Sequence, residues 1–357
     1  MTIGTVAPAG RLVTMQQRLT RLRALWFGIV ALWGLTAFFA LTQSTATLYT
    51  FDAALMACIG AISLQVLQGT TGLPSVGTAG FLLIGAFGSV YMVRLNVPFP
   101  VDIFCGAALA GLAGVITGLP ALRLRGLFLA LATLATHFIA VFLGNYYQGT
   151  VPEAQSAGFF LPILFGSSGL LGGERYWAVL LVGCVTVVII GASRIMGLRS
   201  GRAMRMIRDN EHVAAAFGIS VPGYKLVIFT ITSAVIGFEG GLLAHFSGNV
   251  VIDDFPILLA FQYVVMIVVG GLDSIAGAVI GAGVVVVLPI WVANLVKAVG
   301  GGASATVDGP NVALIVYGVL VIIFVSSSPG GIAGLVRSIA GALRRRLPMP
   351  DQVYGEH

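Results

Sequence analysis

The sequence predicts an all-α polytopic membrane protein with about ten transmembrane helices. Three observations lead to this fold class: the composition, the length and number of the apolar runs, and the placement of basic residues between those runs. Of the 357 residues, 58% are apolar and only 9% are charged, and the mean hydropathy is +1.01. A soluble domain carries about 25% charged residues. The composition therefore excludes a soluble globule and predicts a chain immersed in lipid.

Ten apolar segments are long enough to cross a bilayer, which takes about 17 to 25 residues of helix. Backbone polar groups in hydrocarbon must be paired within the segment, and helices achieve this pairing. The run 178–190 is apolar at nearly every consecutive position, unlike the alternating pattern of a transmembrane strand. The predicted spans are residues 24–42, 52–68, 76–93, 101–119, 126–145, 176–194, 226–247, 257–272, 275–295 and 311–327.

Basic residues predict the orientation, because short cytoplasmic loops of membrane proteins are enriched in Lys and Arg. With the N-terminus inside, only Arg94, Arg175 and Lys297 lie outside. The remaining basic residues all fall on the cytoplasmic side: Arg11, Arg18, Arg21, Arg23, Arg123, Arg125, Arg194, Arg199, Arg202, Arg205, Arg208, Lys225, Arg337, Arg344, Arg345 and Arg346. This distribution predicts an even number of spans with both termini in the cytoplasm.

The chain is thus predicted to have three parts. Residues 1–23 form a cytoplasmic N-terminal segment without a signal-peptide cleavage pattern, residues 24–327 form the transmembrane domain with a long cytoplasmic loop at 195–225, and residues 328–357 form a cytoplasmic tail. The formal net charge is +6, but the charges lie at membrane edges and not on one continuous face. We therefore expect contact with membrane lipid and no binding of nucleic acid.

Motifs for enzymatic chemistry are missing from the sequence. It has no phosphate-binding G-x-x-x-x-G-K-[ST] run, so we expect no nucleotide site of its own. The histidines lack the spacing of metal ligands. Cys58, Cys105 and Cys184 all fall within predicted spans, where we expect them to pack as small apolar residues. These features predict a transport protein and not an enzyme, with no metal and no cofactor.

Four polar residues within or at the end of predicted spans are candidates for a translocation path: Gln65, Gln68, His137 and Glu239. Ionisable groups in hydrocarbon are costly and often mark a pathway or a paired site. The alternative is that these side chains form hydrogen bonds between packed helices. For Glu239, in the middle of the seventh span, both interpretations remain open.

The chain contains 48 glycines, several of which cluster at 69–85, 237–241 and 270–283. Small residues allow helices to approach closely, and glycine beside a span also permits broken backbone near a permeation path. Close packing is the favoured explanation for most of these positions.

Residues 201–218 stand out as a polar stretch in an apolar chain, and their spacing predicts a short amphipathic helix. Arg205 and Asp209 are four residues apart, and Arg208 and Glu211 are three apart, so a helix would pair them. Ile207, Ala214 and Phe217 would form an apolar stripe, and Gly218 would end the helix. Mixed charges favour docking to a protein over resting on anionic lipid.

Two motifs carry a resemblance to a known family. The segment from Leu119 to Ala135, followed by 201–218 and then Tyr224-Lys-Leu, resembles the M-type permease subunit of branched-chain amino-acid ABC importers, and the similarity extends over about residues 50–330. The resemblance implies that 201–218 is a cytoplasmic coupling helix inserted into an ATPase subunit. The residues implied in that coupling are Arg205, Arg208, Asp209, Asn210, Glu211, Ala214 and Gly218.

The resemblance also implies partners and a location. They are an H-type permease subunit forming a heterodimer, two cytoplasmic ATPase subunits and a periplasmic substrate-binding protein, in a bacterial inner membrane. Residues 156–162 depart from the family pattern, so leucine, valine, urea and short amides all remain candidate solutes. The alternative is a proton-coupled secondary transporter or a channel without ATPases, in which Glu239 or His137 would carry protons.

Overall fold

The computed structural model describes residues 28–38, 45–124, 126–162, 173–272 and 274–299, together with six isolated residues between 315 and 334. Within the ranges up to 299 the chain is almost entirely helical, as predicted. The α-helices are α1 (Gly28–Phe38), α2 (Thr45–Leu64), α3 (Thr78–Arg94), α4 (Val101–Ala121), α5 (Leu127–Thr150), α6 (Ala154–Ala157), α7 (Gly173–Gly197), α8 (Arg199–Asp209), α9 (Glu211–Ala216), α10 (Val221–Ser247), α11 (Ile257–Gly270) and α12 (Ile275–Val299).

Short elements complete the described chain. A π-helical turn, Gln65–Thr70, continues α2, and a 3-10 turn, Ile252–Asp254, precedes α11. Two strands of two residues each, β1 (Phe159–Phe160) and β2 (Asn249–Val250), pair antiparallel. The π-helical turn was not predicted; such turns are rare and occur frequently at functional sites.

The predicted all-α polytopic membrane fold is confirmed. Seven of the described helices are long and apolar enough to cross a membrane, and two shorter apolar helices, Gly28–Phe38 and Thr78–Arg94, fall on the first and third predicted spans. The tenth predicted span, 311–327, lies outside the described residues apart from isolated positions, as do the predicted terminal segments 1–23 and 328–357.

Contacts between connections define two ends of the bundle. At one end, here called the β end, β1 and β2 join the connection after α5 to the connection after α10. At the other, the α8 end, Arg208 of α8 donates a hydrogen bond to the carbonyl oxygen of Gly69, and Gln65 donates to that of Leu272. The side of the membrane that each end faces remains a prediction.

Helices α3, α4 and α10 form the most closely packed part of the bundle. A Cβ added to Gly85 would overlap the backbone of Gly237, and a Cβ added to Gly240 would overlap the carbonyl oxygen of Leu82. The backbones therefore touch at positions where only glycine fits, as expected for helices that associate through small residues. This contact holds α10 against α3. It therefore determines which face of α10 is directed away from α3.

Candidate functional site

The polar segment at the α8 end is two helices and not the single helix predicted over 201–218. The chain leaves helical geometry at Asn210, where φ is −160° and ψ is 112°. The Asn210 side-chain oxygen accepts hydrogen bonds from the backbone N–H groups of His212 (3.0 Å) and Val213 (3.2 Å). Asparagine is among the preferred N-cap residues, and its local hydrogen bonds here replace the continuous helix.

This break changes the partners of the charged residues. Arg205 donates to the carbonyl oxygen of Met196 (3.2 Å) and not to Asp209, which is exposed. The Glu211 carboxylate lies 2.5 Å from the ammonium of Lys225, a buried residue near the start of α10. The helical spacing therefore misassigned the Arg205 interaction and missed the ion pair between α9 and α10.

The break also divides the predicted apolar stripe. Ile207 and Ala214 are buried, as expected, but Phe217 is 72% exposed and Val213 is 45% exposed. Gly218 ends the segment with φ at +76° and donates its N–H to the carbonyl of Ala215 at 2.9 Å. We call the exposed pair Val213 and Phe217 the α9 surface.

Gln65 and Gln68, two of the predicted path residues, belong to the π-helical turn at the α8 end. Gln65 donates a hydrogen bond to the carbonyl oxygen of Leu272, and Gln68 donates to that of Ser75 at 2.7 Å. Their amides thus hold the connections after α2 and after α11. Arg208 packs on the same turn: a Cβ at Gly72, where φ is +69°, would lie 2.9 Å from its Cγ.

His137 lies in α5 at a close approach to α3 and is only 2% exposed. A Cβ at Gly80 would stand 2.7 Å from the His137 Cα. One turn earlier in α5, the Thr133 hydroxyl accepts the backbone N–H of Val76 at 2.9 Å. This side of α5 therefore lies directly against α3.

Glu239, in the middle of α10, is 2% exposed and borders a cavity of about 170 Å³. One carboxyl oxygen accepts a hydrogen bond from the Tyr263 hydroxyl of α11, and the other lies against Gly60 of α2, where a Cβ would collide with it. The remaining walls are mostly apolar, with Tyr49 and Gln262 as further polar residues. Of the four predicted path residues, Glu239 alone lines this cavity.

A second buried polar group was missed by the sequence analysis. Asp102, in the first turn of α4, accepts a hydrogen bond from the Ser89 hydroxyl at 2.6 Å and pairs with Nε2 of His245. All three side chains are buried. Asp102 and His245 are ionisable groups predicted at the same side of the membrane, at the ends of the fourth and seventh spans, and that shared depth was a usable signal. The group ties α3, α4 and α10 together at the β end.

Comparison with known proteins identifies relatives. The sequence profile of a family described as "branched-chain amino acid transport system / permease component" matches residues 46–325. The chain is 30% identical over 252 residues to the high-affinity branched-chain amino acid transport system permease protein LivM of Salmonella typhimurium and 29% identical to LivM of Escherichia coli, covering 63% of this chain and 59% of each relative. It is 26% identical to the probable branched-chain amino acid transport permease protein LivH of Methanocaldococcus jannaschii, covering 62% of this chain and 72% of that protein.

Proposed function

The chain belongs to the family of branched-chain amino acid transport permease components, and we propose that it is the membrane permease subunit of an ATP-driven importer for small amino acids or related polar solutes. It spans 59% of the length of the two LivM relatives. Branched-chain amino acids are the first candidate solutes, followed by urea and short amides. Energy would come from separate ATPase subunits.

The α9 surface carries the ATPase part of this proposal. It places Phe217, 72% exposed, at the end of a short helix, in the same polar segment as the exposed residues Arg205 and Asp209. Aromatic residues are enriched in protein–protein interfaces, whose rims are polar. An exposed phenylalanine in a polar segment at the α8 end suits a groove on a protein partner.

Two contacts connect this surface to the transmembrane helices. The Lys225–Glu211 ion pair joins α9 to the start of α10, and the Arg208 guanidinium joins α8 to the π-helical end of α2 through Gly69. Both α2 and α10 line the cavity that contains Glu239. A partner that moved α8 and α9 would therefore move two walls of that cavity, which supports a mechanism of alternating access.

Glu239 is the residue to which we assign the translocation path. It combines a cavity, an ionisable group and a position between helices that connect to the α9 surface. Gln65, Gln68 and His137 stay predictions, because their side chains do not border the cavity.

The proposed assembly contains a second permease subunit, two ATPase subunits and a substrate-binding protein in a bacterial inner membrane. Support for the paired permease comes from the relatives, since both a LivM and a LivH protein resemble this chain. The number of basic residues in the segments that lead to the α8 end supports a cytoplasmic position for that end, where ATPases would reach it.

The test is a double substitution of the α9 surface, Val213→Ser with Phe217→Ser. We expect it to abolish co-purification of the ATPase subunits and ATP-dependent uptake of labelled leucine, because it removes the exposed apolar contact. Leu198→Ser is the matched control, since Leu198 is 58% exposed at the same end and lies outside α9. Uptake of labelled urea by the unmodified assembly distinguishes the solute classes.

If no ATPase co-purifies with the unmodified chain, and the double variant takes up solute at the normal rate under a proton gradient alone, the proposal is wrong. The proton-coupled secondary transporter would then be the correct class.

A further inference from the structure

A second cavity, at the β end, is distinct from the Glu239 cavity and carries one charge of each sign. Its volume is about 180 Å³. Arg94, the last residue of α3, and Glu153, just before α6, both line it and are both exposed to solvent. The cleft is also lined by apolar residues: Val90, Val93, Val151, Phe159 and Leu161. We call it the β-end cleft.

The wall that carries Arg94 is built on packed aromatic rings. The Arg94 guanidinium lies 5.9 Å from the centre of the Phe159 ring, a cation–π distance. Phe159 stacks on Tyr147 at 5.2 Å and meets Phe87 edge-on at 5.6 Å, and its backbone pairs with Val250. A guanidinium stacked through its face keeps its N–H donors at the edge, where they can reach a ligand.

The wall that carries Glu153 is fixed by the backbone of the same connection. The Gln148 side chain donates to the carbonyl oxygen of Ala154 at 2.9 Å, and Gly158 donates to the same carbonyl at 3.1 Å. Gly158 has φ at +77°, and a Cβ there would lie 2.7 Å from the carbonyl oxygen of Val250. The backbone next to Glu153 is therefore held in place by these contacts.

Arg94 and Glu153 do not pair with each other or with a neighbouring charge in the described residues. A cation and an anion that border one small apolar cleft complement a ligand that carries both charges. We propose that the β-end cleft binds a free α-amino acid with an aliphatic side chain, in its zwitterionic form.

The chemistry assigns each part of such a ligand. The α-carboxylate would accept hydrogen bonds from the Arg94 fork, a favourable geometry for carboxylates, and the α-ammonium would donate to Glu153. The aliphatic side chain would lie among the valines and Leu161. Cavities for drug-sized ligands measure roughly 300–1,000 Å³, so about 180 Å³ suits a molecule of amino-acid size. The class of the ligand follows from the residues that line the cleft. The role of the cleft as an entry site before the Glu239 cavity rests on the proposed import function.

Binding to the purified chain in lipid nanodiscs, measured by isothermal titration calorimetry without ATPases or a substrate-binding protein, tests the proposal. The probes are L-leucine, 4-methylpentanoate, which lacks the ammonium, and isopentylamine, which lacks the carboxylate. We expect leucine to bind and each single-charge analogue to bind about tenfold or more weakly, because each loses one charge-assisted hydrogen bond. Arg94→Gln and Glu153→Gln should each weaken leucine binding to a similar degree.

Two further variants keep the outcomes separate. Asp253→Asn removes an exposed carboxylate at the same end but outside the cleft and should leave the affinity unchanged. Glu239→Gln, in the proposed translocation path, reports on binding in the other cavity. If leucine binding is lost in Glu239→Gln and kept in Arg94→Gln and Glu153→Gln, the ligand occupies the other cavity and the proposal is wrong.

A protein partner is the remaining alternative occupant. If Arg94→Gln and Glu153→Gln bind leucine normally but fail to retain the substrate-binding protein, the charges serve docking and the small-molecule site is refuted. Because these measurements use no ATP, they stand or fall independently of the test at the α9 surface.

Discussion

The two long faces of α10 differ in how they meet their neighbours. On one face, Gly237, Gly240 and Gly241 lie so close to α3 and α4 that no side chain fits. On the other, Glu239, Leu243 and Phe246 recur at helical spacing and border the cavity shared with α2 and α11. One face of α10 is thus too closely packed to admit a larger side chain, whereas the other face borders free volume. Glu239 lies on the face where space remains for a solute.

The largest effect is expected on the packed face. In Gly85→Ala the new methyl would overlap the backbone of Gly237, where no flexible side chain can move aside. Overpacking typically costs about 1–3 kcal/mol, and a methyl group that overlaps a helix backbone should exceed that range and abolish the folded protein. Fluorescence-detected size-exclusion chromatography in mild detergent measures the folded fraction.

Gly183→Ala in α7 is the matched control, since a Cβ there meets no atom within 4 Å. Its folded yield should equal that of the unmodified chain, because alanine favours helix over glycine by about 1 kcal/mol. A normal elution profile for Gly85→Ala would show that α3 and α10 do not pack as closely as described, and the contrast between the two faces would disappear.

An intermediate effect is expected on the cavity face. Glu239→Gln keeps the size of the side chain and its capacity to accept the Tyr263 hydrogen bond, but it removes the ionisable group. We expect folded yield to be retained and uptake to fall about tenfold, the equivalent of one lost charge-assisted hydrogen bond. The measurement is initial-rate uptake of labelled leucine into proteoliposomes that contain the complete assembly.

The control for this face is Tyr49→Phe, which changes a hydroxyl in the same cavity on an exposed ring stacked on Phe246. Its uptake should remain within about twofold of the unmodified rate, since an exposed hydroxyl contributes little net hydrogen-bond energy. Normal uptake by Glu239→Gln would return Glu239 to the structural interpretation that the sequence left open.

The contrast between the faces shows what the sequence could predict. Apolar length and basic loops predicted nine of the helices, and the glycine cluster at 237–241 predicted close packing. Glu239 was recognised as a costly residue in a span, but not its partner Tyr263. Tyr263 lies on a different helix, and a pair between two helices depends on how each helix is rotated about its own axis. A helix that is apolar on all sides has no apolar stripe from which that rotation could be predicted.

The α8 end departs from the prediction for a different reason. Arg205, Asp209 and Glu211 have helical spacing, yet Asn210 can satisfy two backbone donors of the following turn with its own side chain. Local capping competes with helix continuation at short range, and the sequence pattern does not say which of the two prevails. For the same reason the exposure of Phe217 could not be predicted, because the direction of its side chain depends on the break in the helix at Asn210.

The smallest effect is expected where the packed face reaches the β end and becomes polar. There the Ser89 hydroxyl donates to Asp102 at 2.6 Å, while His245 of α10 pairs with the same carboxyl oxygen. Ser89→Ala removes one of two partners and leaves the pairing between α4 and α10 in place, so the loss should be near that of a single hydrogen bond, about 1 kcal/mol. The thermal midpoint in detergent should fall by a few degrees with folded yield intact. Thr136→Ala serves for comparison, because its hydroxyl bonds only the carbonyl of its own helix at Ala132 and should change the midpoint less. A Ser89→Ala loss as large as that of Gly85→Ala would mean that this polar group, and not the contact between glycines, holds the packed face of α10 together.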